Sequence, residues 1–406
     1  MTVTIHPSRA KGEVFAPPSK SMAHRLLICA ALSSGTSRIR GISDSDDVRA
    51  TLRCLEGLSI PYEISGDQVT VWGKGLSEMT PKNPLFAGES GSTLRFMIPI
   101  ALLCGSEVCF TAKRSLLARP MSVYEMLAAE KGFKFKKDAD SITVKGPLTP
   151  GDFRIPGNIS SQFISGLLFA LPLLCADSRI TLTTAVESRS YISLTIKALA
   201  EFGVTVGWED EHTLFIPGNQ SYKSREISVE GDYSNAAFLD AMNLFSGEVT
   251  VKGLEEDSLQ GDKIYRQYFP MLDIGVPTLH IGDCPDLGPI LFAIAAAKNG
   301  GVFSGTRRLR IKESDRAEAM ARELRKFGAT VTVYDDSVVV FPGAFHAPAE
   351  PLLGHNDHRI VMALSVLLTR TGGSIQGAEA VNKSYPSFFH DLTKLGISVT
   401  EQEDLS

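Results

Sequence analysis

Long apolar runs are missing from this chain. The longest, Gly166 to Ala176 and Pro289 to Ala297, stop well short of the roughly 20 residues a helix needs to cross a bilayer, so they read as buried core helices and no membrane contact is expected. Cysteine is sparse. The six residues Cys29, Cys54, Cys104, Cys109, Cys175 and Cys284 are scattered, none in CxxC spacing, which excludes a disulfide framework and leaves reduced thiols of a cytoplasmic protein as the expectation. Positive charge is not in excess either: 41 Lys plus Arg against 46 Asp plus Glu give a net charge of −5, which argues against a nucleic-acid or membrane-surface binder. Any basic site must be a local concentration. The opening residues MTVTIHPSRAKG carry no apolar stretch after a basic one, so no secretory leader is expected. No GxGxxG, Walker, GxSxG or HExxH string is present.

What is present is enough for two domains. A chain of 406 residues, 43% hydrophobic and 21% charged, exceeds one ordinary core and can bury two. An internal repeat sets their pattern. Six segments, LEGLSI, AEKGFKF, AEFGVTV, LDIGVPT, RKFGATV and TKLGISV, read as a helix end, a glycine and a short strand, with glycines at 57, 132, 203, 275, 328 and 396. Glycine just past an amphipathic helix suits a left-handed cap. Upstream of each lies an apolar helix opened by a polar cap, near Ser19, Ser90, Asn158, Asp232, Asp286 and Asn356, with a strand such as SRIRGI or RITLTT between the two helices. In four units a second strand follows and ends in Gly73, Gly146, Gly218 or Gly343. Each unit of about 70 residues therefore reads as helix, strand, helix, hairpin, and six copies divide into two domains of three. The polar stretch Asn219 to Glu230 marks the boundary, and a shortened spacing places a deletion between Gly275 and Asp286. A solenoid is the alternative arrangement.

The six helix starts carry the chemistry. A helix N-terminus presents unpaired N–H groups and about half a positive charge, which suits an anion. In PPSKSMAHR, Lys20, Ser21 and Arg25 occupy such a start; a lysine there opposes the dipole, so either a bound anion or solvent accounts for it. GESGSTLR sets Gly91 before Arg95, letting backbone approach a phosphate or carboxylate. NISSQF supplies Ser160, Ser161 and Gln162, either ligands of a hydroxylated or phosphorylated molecule or ordinary caps; Ser188 and Tyr191 in ESRSY read both ways. Arg119 precedes a proline in SLLARPM and offers a rigid fork for a carboxylate. In RLRIKESDR, Lys312, Glu313 and Arg316 cluster, either as a base beside two cations that lower its pKa or as an exposed ion-pair network. Asp286, the pair His358–Arg359 and Lys383 mark the remaining starts. His355 and His358 stand three apart without a distant third ligand, a poor zinc pattern, so no metal is expected. Lys20, Arg25, Arg95, Arg119, Lys312, Arg316, Arg359 and Lys383 outnumber Asp286 and Glu313 in a chain that is acidic overall. That composition fits small, multiply anionic substrates with one or two carboxylates for proton transfer.

The strings PPSKS, SDDVR, GSTLR, ARPM, SSQF, VEGD, LQGD, PDLGP, RIKESDR, NDHR and NKSYP, in this order across nearly the whole chain, closely resemble the 5-enolpyruvylshikimate-3-phosphate synthase family. The resemblance implies an α/β fold of two inside-out barrel domains, each of three βαβαββ units: residues 18–230, and residues 1–17 with 231–406, the first strand crossing over and the site lying in the cleft between them. It also implies transfer of the enolpyruvyl group of phosphoenolpyruvate to the 5-hydroxyl of shikimate 3-phosphate, in the shikimate pathway of aromatic amino acid biosynthesis. No cofactor is implied, and a cytoplasmic monomer is expected. By motif position, Lys20, Asp286 and Glu313 would share the acid and base work, with His358 assisting. Phosphoenolpyruvate would be held by Lys20, Gly91, Arg119, Gln162, Arg316, Arg359 and Lys383. Shikimate 3-phosphate would be held by Lys20, Ser21, Arg25, Ser160, Ser161, Gln162, Ser188, Tyr191, Asp286 and Lys312.

Four positions depart from the family pattern. Glu89 stands where many members have Asn, and Phe96 where many have Pro; both are expected to alter the phosphoenolpyruvate side. Arg308 replaces a polar residue, and Ser190 lies where proline is common. The related UDP-N-acetylglucosamine enolpyruvyl transferases usually carry a reactive cysteine before their ARP-like arginine. Here TAKRSLLARP holds no thiol between Cys109 and Arg119. A non-catalytic anion-binding protein is the alternative from another class; it would need neither Asp286 nor Glu313.

Overall fold

A computed structural model describes residues 1–82 and 84–403, so the last three residues of the expected second domain, 404–406, lie outside the described residues. The chain divides into two compact units, Pro18–Glu230 and Met1–Pro17 with Gly231–Ser406.

In Pro18–Glu230, three sheets repeat one pattern. Leu85–Phe86 runs parallel to Glu107–Thr111 across the helix Gly91–Ala101, and Glu107–Thr111 pairs antiparallel with Ser141–Lys145, whose hairpin partner is Lys134–Lys137. Parallel neighbours need such a crossover, and the apolar helix supplies it. Asp152–Ile155, Ser178–Leu182, Thr213–Ile216 and Gly207–Trp208 repeat the arrangement around the helix Ser161–Ala170. In the third sheet the parallel partners of Ser33–Arg40 are Tyr222–Lys223 and Glu226–Ser228, drawn from the far end of the unit. The stretch Asn219 to Glu230 is therefore more than a linker: it closes the first sheet.

The other unit builds its sheets by the same rule with one omission. Thr278–His280 and Gly301–Ser304 flank the helix Gly288–Ala297 and add the hairpin Thr330–Val333 with Ser337–Phe341. Leu352–Leu353 and Gly373–Gln376 flank the helix His358–Thr371, and Gly373–Gln376 pairs with Thr2–Ile5, which pairs in turn with Val399–Gln402. Lys11–Phe15 lies parallel to Glu248–Lys252 in a sheet whose described residues form those two strands alone. The N-terminal segment thus contributes two strands to two sheets, where a single crossing strand was implied.

The missing hairpin explains a glycine that does not cap. Gly132, Gly203, Gly328 and Gly396 have φ of 76°, 77°, 91° and 85°, the left-handed geometry expected of them. Gly275 is extended at φ −169°, because the chain leaves the helix Tyr265–Ile274 directly for the strand Thr278–His280. Gly57 is still helical, and the positive φ passes to Ser59. The strand-ending glycines serve close approach: a Cβ on Gly73 would lie 2.2 Å from the Ala30 carbonyl oxygen, and one on Gly146 1.9 Å from that of Leu102.

Helices line the interior of each unit. Gly91–Ala101 packs on Ser161–Ala170, that helix on Arg189–Glu201, and Arg189–Glu201 on Lys20–Leu32, around one apolar cluster confined to residues of this unit. In the other unit Gly288–Ala297 packs against His358–Thr371, Arg316–Arg325 and Tyr233–Ala241 around a second cluster. Each buried Leu, Ile or Phe contributes about 1.5–3 kcal/mol, and this rigid interior fixes the helix starts that carry the polar groups. Among the described residues no helix is long and apolar enough to cross a membrane.

Candidate active site

Ser19, Ser90 and Asp232 cap their helices through side-chain oxygens, as expected. Two other caps fall later than expected: Ser160, two residues beyond Asn158, and Asp357, one beyond Asn356. Asp286 does not occupy a cap position. It lies in the short helix Pro285–Leu287 that leads into Gly288–Ala297.

In Pro18–Glu230 the polar groups at the helix starts are tied into a ring. Lys20 Nζ lies 2.8 Å from Asp47 Oδ2, in the first turn of the helix Asp46–Gly57. That carboxylate accounts for a lysine at the positive end of a dipole, where a bound anion or solvent was the expectation. Arg25 is buried; its Nε donates to Thr195 Oγ1 at 2.8 Å, Nη1 to the Ser21 carbonyl at 2.5 Å and Nη2 to the Tyr191 carbonyl at 3.0 Å. Burial draws the Arg25 guanidinium down to about 10, so it remains charged at neutral pH. Thr195 joins Ser165 of the helix Ser161–Ala170 at 2.7 Å. From the same helix Gln162 Oε1 accepts from Arg95 Nη1 at 2.7 Å, while Gln162 Nε2 donates to Ser92 at 3.0 Å. Ser160 and Ser161 open that helix, and Ser188, fully buried with φ 58°, opens the helix Arg189–Glu201 next to Tyr191. A strained non-glycine φ at such a place is held by its surroundings.

Gly91 stands against two guanidinium groups. A Cβ built on it would lie 3.0 Å from both Arg119 Nη1 and Arg95 Nη1. Gly91→Ala is therefore expected to push Arg119 outward and weaken a phosphoenolpyruvate-like anion by about tenfold, roughly 1.4 kcal/mol. Unchanged donor affinity in a calorimetric titration would contradict this. The Phe96 ring lies 5.1 Å under the Arg25 guanidinium. Glu89 is 3.4 Å from Lys113.

The other unit gathers Asp286, Lys312, Glu313, Arg316, Arg359 and Asp357 into one network. Asp286 accepts from Lys312 Nζ at 3.2 Å, Arg316 Nη1 at 2.8 Å and Arg359 Nη2 at 3.2 Å. Arg316 also donates to Glu313 at 2.8 Å and, through Nε, to Asp357 at 2.8 Å. Arg359 donates to Asn235 Oδ1 at 2.8 Å and Ser234 Oγ at 2.5 Å. Lys383 Nζ donates to the Asn356 carbonyl at 2.7 Å, in a loop where His355 and Asn356 have φ of 50° and 52°. His358 is buried, its Nδ1 4.0 Å from Asp357, whereas His355 binds Glu323 at 2.8 Å. Arg308 is buried near Lys312.

Within this network three carboxylates, Asp286, Glu313 and Asp357, are bonded to three cations, Lys312, Arg316 and Arg359, with the buried cations Arg308 and Lys383 in the same unit. Burial opposes the charge of Arg316, but Asp357, Glu313 and Asp286 outweigh it and push its pKa well above the usual value. Burial pulls the Lys312 ammonium below its ordinary value, Asp286 opposing and Arg316 and Arg308 reinforcing that shift. The Asp286 and Glu313 side chains keep 16% and 17% exposure while Asp357 keeps 0%, so the first two carboxylates are open to solvent and Asp357 is not.

Sequence reasoning gave no role to Asp47, Asp357 or Asn235. Each lies in or beside a singled-out string, and the signal was an acidic or amide group at a helix start facing a cation. Removing Asp357 takes from Arg316 its only fully buried counter-ion among the three and the acceptor of its Nε, while Asp286 and Glu313 still pair with Nη1 and Nη2, so Asp357→Leu is expected to cost about 3 kcal/mol, the low end for breaking a buried pair. Urea denaturation checks this; a midpoint shift worth under about 1 kcal/mol would contradict it.

Residues 5–272 and 271–392 match the family model for EPSP synthase (3-phosphoshikimate 1-carboxyvinyltransferase). The chain belongs to the EPSP synthase family. It is 39% identical to a 3-phosphoshikimate 1-carboxyvinyltransferase of Clostridium kluyveri over 423 aligned positions, covering 98% of each chain. A protein of the same name from Clostridium novyi is 38% identical, again over 98% of both. A solved EPSP synthase of Acinetobacter baumannii superposes with a TM-score of 0.81 over 98% of this chain and 100% of that one; at 23% identity it speaks to the fold. Membership in the EPSP synthase family carries the expected α/β architecture of repeated units.

Proposed function

We propose that this member of the family joins the enolpyruvyl group of phosphoenolpyruvate to the 5-hydroxyl of shikimate 3-phosphate, releasing phosphate. The observation that carries the reading is the pair of partly exposed carboxylates, Asp286 and Glu313, bonded directly to Lys312, Arg316 and Arg359. Anion binding alone needs the cations; proton transfer needs the carboxylates as well. In the first step the 5-hydroxyl oxygen bonds to the central carbon of phosphoenolpyruvate, its proton passes to a base, and an acid protonates the methylene carbon. In the second, a proton leaves the resulting methyl group and the carbon–oxygen bond to phosphate breaks. Lys20, Asp286 and Glu313 share these transfers, with His358 assisting.

Lys20, Gly91, Arg119, Gln162, Arg316, Arg359 and Lys383 hold phosphoenolpyruvate in this proposal. Ser21, Arg25, Ser160, Ser161, Ser188, Tyr191, Asp286 and Lys312 hold shikimate 3-phosphate, with Lys20 and Gln162 touching both substrates. The ring of bonds around Arg25 and Gln162 supports the reading by holding those side chains in place. A single cytoplasmic chain is proposed as the working form; six scattered cysteines without CxxC spacing are in keeping with a reducing compartment. Phosphate release from phosphoenolpyruvate should depend on shikimate 3-phosphate. Release with UDP-N-acetylglucosamine instead would transfer the protein to the other acceptor class.

A further inference from the structure

His24 lies between Lys20 and Arg25 on the helix Lys20–Leu32 and is 1% exposed. Its Nδ1 is 2.6 Å from Thr51 Oγ1, Thr51 Oγ1 is 2.7 Å from Thr93 Oγ1, and Thr93 Oγ1 donates to Ser90 Oγ at 2.8 Å. Ser90 in turn caps the helix that begins at Gly91. These bonds close the ring of polar groups at the helix starts. Arg25 runs one way through Thr195, Ser165 and the next helix to Arg95, while His24 runs the other way to Ser90.

Proton counting assigns the tautomer. A hydroxyl has one proton to give. Thr93 gives its proton to Ser90, so Thr51 gives its own to Thr93, and Thr51 must then accept from His24 Nδ1–H. Nε2 is left as a lone pair, and no hydrogen bond reaches it within the described residues. A charged ring would need a second acceptor there. Burial, with Lys20 and Arg25 adding to it, lowers the imidazole well below its usual pKa, in agreement with a neutral ring.

We propose that His24 is a positioning residue for the donor side of the site: as a neutral Nδ1–H ring it locks the helix starts bearing Lys20, Asp47 and Gly91 to one another. It rests on the proposed assignment of Lys20 and Gly91 to phosphoenolpyruvate. Lys20 also touches shikimate 3-phosphate in that reading, but Arg25 keeps its own anchors on Thr195, Ser21 and Tyr191, so the acceptor side should be affected far less than the donor side.

The test compares His24→Leu and His24→Asn in the full chain with the unaltered protein. Asparagine can place an amide N–H close to where Nδ1–H sits; leucine cannot. His24→Leu is expected to raise the KM for phosphoenolpyruvate by about tenfold or more, with the binary Kd for shikimate 3-phosphate within about threefold. His24→Asn is expected to recover most of that loss. Equal loss of both substrates, unchanged kinetics in the leucine variant, or an asparagine variant no better than a leucine variant of equal Tm would overturn the proposal. If His24→Leu does not fold, Thr51→Val breaks the next link and should show the same split. Nitrogen-labelled histidine spectra of the unaltered protein give a readout independent of activity: Nδ1 protonated and Nε2 bare supports the lock, and a protonated Nε2 overturns it. If the unaltered protein releases no phosphate from the two substrates, the functional reading fails while the spectrum still decides the tautomer.

Discussion

Lys20→Met is expected to lower turnover by at least about 100-fold, the scale of losing one preorganised donor to developing negative charge. The side chain is 12% exposed and paired with Asp47 at 2.8 Å, so its position is fixed before any substrate arrives. Methionine keeps most of the stem and its packing, and Asp47 stays favourably placed in the first turn of its own helix, so the fold should survive. The loss should therefore appear in kcat and in kcat/KM for phosphoenolpyruvate. Lys136→Met serves as the control, since that lysine is 63% exposed and pairs with Asp138 at the surface. Steady-state kinetics with near-normal turnover for Lys20→Met would refute the role given to Lys20.

Asp286→Asn separates catalysis from binding. Asp286 partly neutralises Lys312, Arg316 and Arg359, so removing its charge leaves those cations more available to an anion. Affinity for phosphoenolpyruvate should hold or improve. Turnover should fall by about 100- to 10,000-fold, because the amide cannot carry the proton. A variant that loses binding and turnover in parallel would make Asp286 a structural counter-ion like Asp357. A variant that keeps both would favour a protein that merely holds anions.

Much of the repeated architecture was legible because two signals ran in phase: apolar helices opened by Ser19, Ser90 or Asp232, and glycines after the second helices. Gly132, Gly203, Gly328 and Gly396 took the left-handed geometry expected of them. Gly275 did not, since that geometry serves a hairpin that is absent there, and a glycine alone does not reveal whether a hairpin comes after it. The pairing of Tyr222–Lys223 and Glu226–Ser228 with Ser33–Arg40 was invisible for another reason. A short polar strand reads as linker until its distant partner is known.

At the site, the residues singled out were those whose chemistry is conspicuous by type, lysine and arginine at helix starts. Their partners were not. Asp47 looks like an ordinary first-turn acid and Asp357 like an ordinary N-cap, and only the fold reveals that each sits against one named cation. The ring through His24, Thr51 and Thr93 joins residues 27 and 42 apart in sequence, with hydroxyls that read locally as helix-neutral. The neighbour to which Phe96 turns was not legible, because Arg95 beside it in sequence faces Gln162 while its own ring faces Arg25. Adjacent helical residues point about 100° apart.

Turnover in heavy water is the most direct measurement of the chemistry. With shikimate 3-phosphate and phosphoenolpyruvate in deuterium oxide, addition followed by elimination protonates the methylene carbon and then removes one of three hydrogens. Deuterium in the enolpyruvyl methylene of the product is the expected result. Product formed at full rate with no deuterium at that carbon would contradict it, because the acid and base work assigned to Lys20, Asp286 and Glu313 would then have nothing to act on.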